Sequence, residues 1–74
     1  MNIVINKHGE ELNAIAIRHQ GAGDLIKRQP DAKAVYIINH YDKESDSYSC
    51  SNYDDMNREI FIKSNKTVYV GFTF

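Results

Sequence analysis

Cysteine, proline and glycine are scarce in this chain, and tryptophan is missing. Its 74 residues include one Cys, one Pro and four Gly. A single cysteine excludes an intramolecular disulfide. Cys50 with His8, His19 and His40 also lacks the short paired spacings of a zinc framework, so no metal and no cofactor are expected. With so little Pro and Gly there is no linker, and no internal repeat is present; residues 1–74 are expected to form a single domain. No uncharged apolar run approaches the ~18 residues of a membrane-spanning helix. Residues 1–20 carry Glu10 and Glu11 and lack the apolar stretch of a signal peptide. A cytoplasmic location without membrane contact is the expectation, and a lone thiol fits a reducing compartment.

An excess of one charge is missing too. Nine Lys and Arg face ten Asp and Glu, a net charge of −1, with a pI near 6.2. Domains that hold nucleic acid by electrostatics usually show a basic patch and a pI above about 9, so nucleic acid is not the expected partner.

What is present points to a folded chain: 42% of residues are hydrophobic and 11% are aromatic. A single core of this size rarely supplies more than about 3–5 kcal/mol, so small chains lean on partners, and a homo-oligomer is expected. Its interface is expected on the C-terminal strand, where Val68, Val70, Phe72 and Phe74 share one face and no charge follows Lys66.

Local signals predict the elements. Residues 2–6 are short and β-branched, a strand. Asn6 to Gly9 reads as a turn closed by a left-handed Gly, with residues 10–18 as the returning strand; Leu12, Ile15, Ala16 and His19 keep a helix as the rival reading there. Asp24 is placed to N-cap a short helix over 25–29, ended by Pro30. Residues 33–41 are apolar on both faces, as in a central strand. Further strands are expected at 48–51, 59–63 and 67–74, with Asn52 capping a turn and residues 64–66 forming a tight one. The predicted fold is α+β: a small β-rich domain of five to six mostly antiparallel strands with one or two short helices.

Three chemical readings fail on their own terms. Asp42, Glu44 and Asp46 alternate like the first ligands of a calcium loop, but Ser47 stands where the turn needs Gly and Tyr53 where the bidentate Glu belongs. Gly21-Ala22-Gly23 is followed by Asp24 rather than by the Lys-Ser/Thr of a phosphate loop. Cys50 and His40 could meet across a hairpin, but Ser49 and Ser51 offer nothing to activate the thiol.

The most informative stretch is residues 41–55. Residues 41–59 hold six carboxylates against Lys43 and Arg58. Tyr among small polar residues is the composition of an adaptable contact surface, and carboxylates there suit a basic partner. The expected function is therefore non-enzymatic: a small protein that occupies a protein partner with a basic surface through Asp42, Glu44, Asp46, Tyr48, Tyr53, Asp54 and Asp55, in the manner of phage or mobile-element accessory and inhibitor proteins. The alternative is capture of a small molecule or nucleotide at an anion site between subunits, near Gly21, Gly23, Lys27 and Arg28.

Overall fold

Asn6 organises the first hairpin. In the computed structural model, which describes residues 2–74, its Oδ1 accepts from the amides of His8 (3.0 Å) and Glu10 (2.9 Å). Its Nδ2 donates to Glu10 Oε1 and to the carbonyl of Pro30. Gly9, at φ +78°, closes the turn in the left-handed region that glycine adopts without a steric penalty. The strands it joins, β1 (Asn2–Ile5) and β2 (Glu11–Ala16), pair antiparallel with Val4 opposite Leu12. The strand reading of this stretch therefore holds over the helical one, and only Ile17–His19 coils, as a single 3-10 turn.

A second, four-stranded antiparallel sheet runs in the order β3 (Leu25–Ile26), β4 (Tyr36–Asp42), β5 (Ser47–Asn52) and β6 (Glu59–Lys63). The chain then turns at residues 64–66 into β7 (Thr67–Val70), which pairs with β2 and completes the first sheet in the order β1-β2-β7. The amides of Ile17 and Arg18 donate to Lys66 and Ser64, so the end of β2 is fastened to that turn.

Among the described residues the architecture is mainly β, with seven strands, rather than α+β with one or two helices. The helix expected over 25–29 does not form. A helix capped by Asp24 needs the following amides to turn back to that carboxylate or to each other. Instead the Asp24 carboxylate accepts from the preceding Gly21 amide at 2.8 Å. Leu25 and Ile26 pair with Ile37 and Tyr36, and Lys27 exchanges both backbone hydrogen bonds with Tyr69, each 2.9 Å. A distant strand outbids the local propensity of a five-residue segment, which is too short to hold a helix alone.

That Lys27–Tyr69 bridge stitches the two sheets together, and the core lies between them. Ile17 and Val68 from the first sheet and its turn pack with Ile26, Tyr36, Ile38, Cys50 and Ile62 of the second. Burying each such aliphatic side chain contributes about 1.5–3 kcal/mol. β7 stands at the end of the three-stranded sheet, and a single bridge, Lys27–Tyr69, covers part of its outer side. Val68 is 1% exposed inside its own chain and is not available to a second copy. Among the described residues the end strands of the two sheets are β1 and β7, and β3 and β6; β3 and β7 approach each other through the Lys27–Tyr69 bridge, whereas β1 and β6 have no neighbour on their outer sides.

A bulge in β4 sets which side chains reach the core. Ile38 stands opposite Cys50, but His40 stands opposite Ser49, leaving Asn39 as the extra residue. Tyr36 and Ile38 therefore face inward before the bulge, while after it the exposed Tyr41, paired with Tyr48, falls on that side. The other face carries Ser47, Ser49 and Ser51, all buried. Asn39 Nδ2 donates to Ser51 Oγ (2.7 Å) and Ser49 Oγ (3.3 Å). Ser49 donates to the Glu59 carboxylate.

Candidate functional site

The structure divides the acidic segment. β5 runs through its middle, so Asp42, Glu44 and Asp46 lie at one end of that strand and Tyr53, Asp54 and Asp55 at the other. The six residues of β5 separate them by about 17 Å at the usual rise of ~3.3 Å per residue.

At the first end the carboxylates shape the turn. Asp42 accepts from the Glu44 amide and the Ser45 hydroxyl. Asp46, in the left-handed region at φ +52°, accepts from the Tyr41 hydroxyl at 2.6 Å. This bond, with Ser64 and the nearby Lys63 and Arg18, holds the Asp46 carboxyl below the usual carboxylate range. The same bond raises the Tyr41 phenol above its ordinary value. Tyr48 leans against Tyr41, ring centroids 4.9 Å apart, and is half-buried against the core. Of the expected contact residues here, Glu44 alone is exposed without a hydrogen bond to its carboxylate.

At the second end, aromatic rings stand in solvent. Asn52 Oδ1 accepts from the amides of Asp54 (2.8 Å) and Asp55 (3.2 Å), the capped turn expected there. The Tyr53 amide donates to the Val35 carbonyl. The Tyr53 ring, 48% exposed, meets Phe74, 63% exposed, edge to face with centroids 4.7 Å apart. Phe74 stands perpendicular to Phe72 at 6.5 Å. The Lys27 ammonium sits 4.8 Å from the Phe72 centroid, a geometry in which the ring face attracts the cation.

The tail that brings these rings in is anchored. Gly71, at φ +87°, turns the chain out of β7. Glu10 then takes the Thr73 amide on Oε2 at 2.9 Å and lies 4.0 Å from Lys27 through Oε1. The Thr73 N–H, followed by Asn6 and Lys27, keeps the Glu10 carboxyl below its ordinary value against the opposing effect of burial. The outcome merges two expected surfaces: Tyr53, Asp54 and Asp55 of the partner segment share one patch with Phe72 and Phe74 of the expected oligomer face. Val70 lies half-buried behind them against the core. Nothing local in the sequence links Tyr53 to Phe74; the only signal was that both are large aromatics in polar surroundings.

The alternative anion site is not gathered. The Gly21 amide is taken by Asp24 and the Gly23 amide donates to the Ile38 carbonyl at 2.8 Å. Lys27 points toward Glu10 and Phe72, whereas Arg28 lines a cleft of about 270 Å³ with Gln29, Ile62, Lys63, Lys66 and Val68.

His40 is exposed and lies opposite Ser49, so the bulge keeps it out of register with Cys50. The Cys50 side chain is fully buried. Burial, with the charge of Glu59, pushes its thiol up to about 11, which holds it protonated at neutral pH. Among the described residues no three His, Cys, Asp or Glu side chains converge as a metal site requires. No helix there is long and apolar enough to cross a membrane. No protein-family model, no curated protein and no solved structure matches the chain.

Proposed function

We propose that this is a small binding protein that acts by occupying a protein partner, without chemistry of its own, through the patch formed by Tyr53, Phe72 and Phe74 beside Asp54 and Asp55. The observation that carries the reading is the exposed Tyr53–Phe74 pair. Large aromatics held in place by their own neighbours lose little freedom on binding and dominate interface energetics. Here the Asn52 turn fixes one ring and the Glu10–Thr73 bond the other. Asp54 and Asp55 beside them suit a partner with a basic rim. The protonated, buried thiol of Cys50 supports a role without covalent catalysis.

The test is capture from lysate with wild-type and variant baits. A basic protein retained by the wild type is expected to be lost with Tyr53→Ala and with Phe74→Ala. With Asp54→Asn/Asp55→Asn it is expected to associate more slowly and with a flatter salt dependence. Retention unchanged in all three would remove the reading. A second reading, capture of an anionic small molecule, is favoured by Arg28, Lys63 and Lys66 lining one cleft; it predicts loss of the retained molecule with Arg28→Ala and indifference to Tyr53→Ala.

A further inference from the structure

β6 is an edge strand whose sequence is complementary to itself. Two backbone bonds fix the phase of its pairing with β5: the Asn52 amide donates to Arg58, and the Ser64 amide to Asp46. Antiparallel ladders alternate, so Ile60 and Ile62 turn their N–H and C=O groups toward β5, and Glu59, Phe61 and Lys63 turn theirs outward. Apart from the Lys63 carbonyl, which accepts from the Lys66 amide at 3.0 Å, no described residue takes these outward groups. The side chains of Glu59, Phe61 and Lys63 share one face of the strand, and Phe61 is 56% exposed.

We infer that β6 pairs antiparallel with β6 of a second copy of this chain, about a two-fold axis at Phe61. In that register Phe61 meets the partner's Phe61, Glu59 meets the partner's Lys63, and Lys63 meets the partner's Glu59. The residues brought opposite one another are those whose backbone groups face outward, so the Phe61 pair exchanges both hydrogen bonds and each Lys63 amide donates to the partner's Glu59 carbonyl, while the Lys63 carbonyl also serves the Lys66 amide. Ile60 lies opposite the partner's Ile62 on the other face. A two-fold axis makes every such contact twice, so each strand end carries an opposite-charge pair and the centre an aromatic pair, both stabilising in cross-strand positions. A register shifted by two residues would lose at least one charge pair and leave a charge opposite Phe61.

The surroundings favour the same occupant. The cleft lined by Phe61, Ile62 and Lys63 opens along this edge, which leaves room beside β6. Arg28 and Lys66 line it as well, and on the strand's other face Phe61 and Lys63 border a hollow with Asp42, Ser45 and Ser47. Another edge, β1, exposes Ile3 and Ile5 but carries no charge that would select a partner or a register. An unprotected apolar edge invites unspecific pairing, whereas β6 specifies its mate.

Sedimentation or light scattering of the full chain at micromolar concentration tests this. The expected mass is twice the 8.5 kDa of the chain. Glu59→Lys and Lys63→Glu, each placing like charges opposite at both strand ends, are expected to weaken dimerisation about tenfold or more. The double variant Glu59→Lys/Lys63→Glu restores both pairs and is expected to restore the dimer, with circular dichroism reporting that all three fold. Phe61→Cys is expected to form a disulfide between copies under mild oxidant, because hydrogen-bonded cross-strand Cα atoms lie about 5.5 Å apart. A monomer in the wild type overturns the proposal. So does a dimer unaffected by both single reversals, or one that the double variant does not recover.

Discussion

The Tyr41 hydroxyl donates to Asp46 across the β4–β5 turn at 2.6 Å. The bond requires Asp46 ionised and Tyr41 protonated, and it shifts both groups accordingly: Asp46 down, Tyr41 up. Its contribution to stability is therefore present above the ordinary carboxylate range and disappears as pH falls through the lowered Asp46 value. At the other end it is complete below the ordinary phenol value of about 10 and disappears as pH rises through the raised Tyr41 value. Melting curves of wild type and Tyr41→Phe are expected to differ between these limits and to converge beyond them. A difference independent of pH would show that the ring's packing, not the bond, is what the variant removes.

The buried thiol makes a kinetic prediction. With Cys50 pushed up to about 11, a thiol reagent at mildly alkaline pH finds little thiolate and no access. Labelling of the native chain is expected to be slower than of the unfolded chain by a factor on the order of a hundred or more. Because the native value is raised, the protonated thiol favours the fold below the ordinary cysteine range, and that preference fades as pH rises through about 11. Labelling at equal rates with and without denaturant would contradict the core position of this side chain.

Glu10 is predicted to act as the latch of the C-terminal tail. Its carboxyl is held below the ordinary value, chiefly by the Thr73 amide, so the tail is fastened above the ordinary glutamate range and freed as pH falls through the lowered value. The Thr73 amide resonance is expected to titrate with that carboxyl. Glu10→Ala is expected to release it at all pH values and to abolish the ring-current shifts between Tyr53 and Phe74. If those shifts persist in Glu10→Ala, the aromatic contact alone fixes the tail.

Packing predicts a contrast between two isoleucines. Ile38 is 2% exposed and Ile3 is 64% exposed. Ile38→Ala is expected to cost about 2–5 kcal/mol in urea unfolding, the transfer of the lost methyl groups plus the cavity left behind. Ile3→Ala is expected to fall within about 0.5 kcal/mol.

What the sequence by itself determined is local. The turn from Asn6 to Gly9, the β4–β5 hairpin loop, the Asn52 turn, the strand Glu59–Lys63 and the turn after it depend on side chains within a few residues of the backbone groups they satisfy. Asx-type bonds and a left-handed glycine can be read one after another along the chain. Tertiary structure decided the rest. Leu25 and Ile26 became a strand because Tyr36, Ile37 and, through Lys27, Tyr69 offered backbone partners that no local pattern announces. The Asn39 bulge shifted His40 and Tyr41 by one position, and with a side-chain period of two that exchanges the inward and outward faces. β7 is an edge of its sheet, as read, but the bridge from Lys27 to Tyr69 ties it to the second sheet. The acidic segment looked continuous in one dimension, but a strand carries its two ends apart. The ring of Tyr53 found Phe74 only because Gly71 and Glu10 bring the tail back to it. Contacts between residues far apart in the chain depend on how both sheets close on one core, and that closure is a property of all the strands together rather than of any one segment.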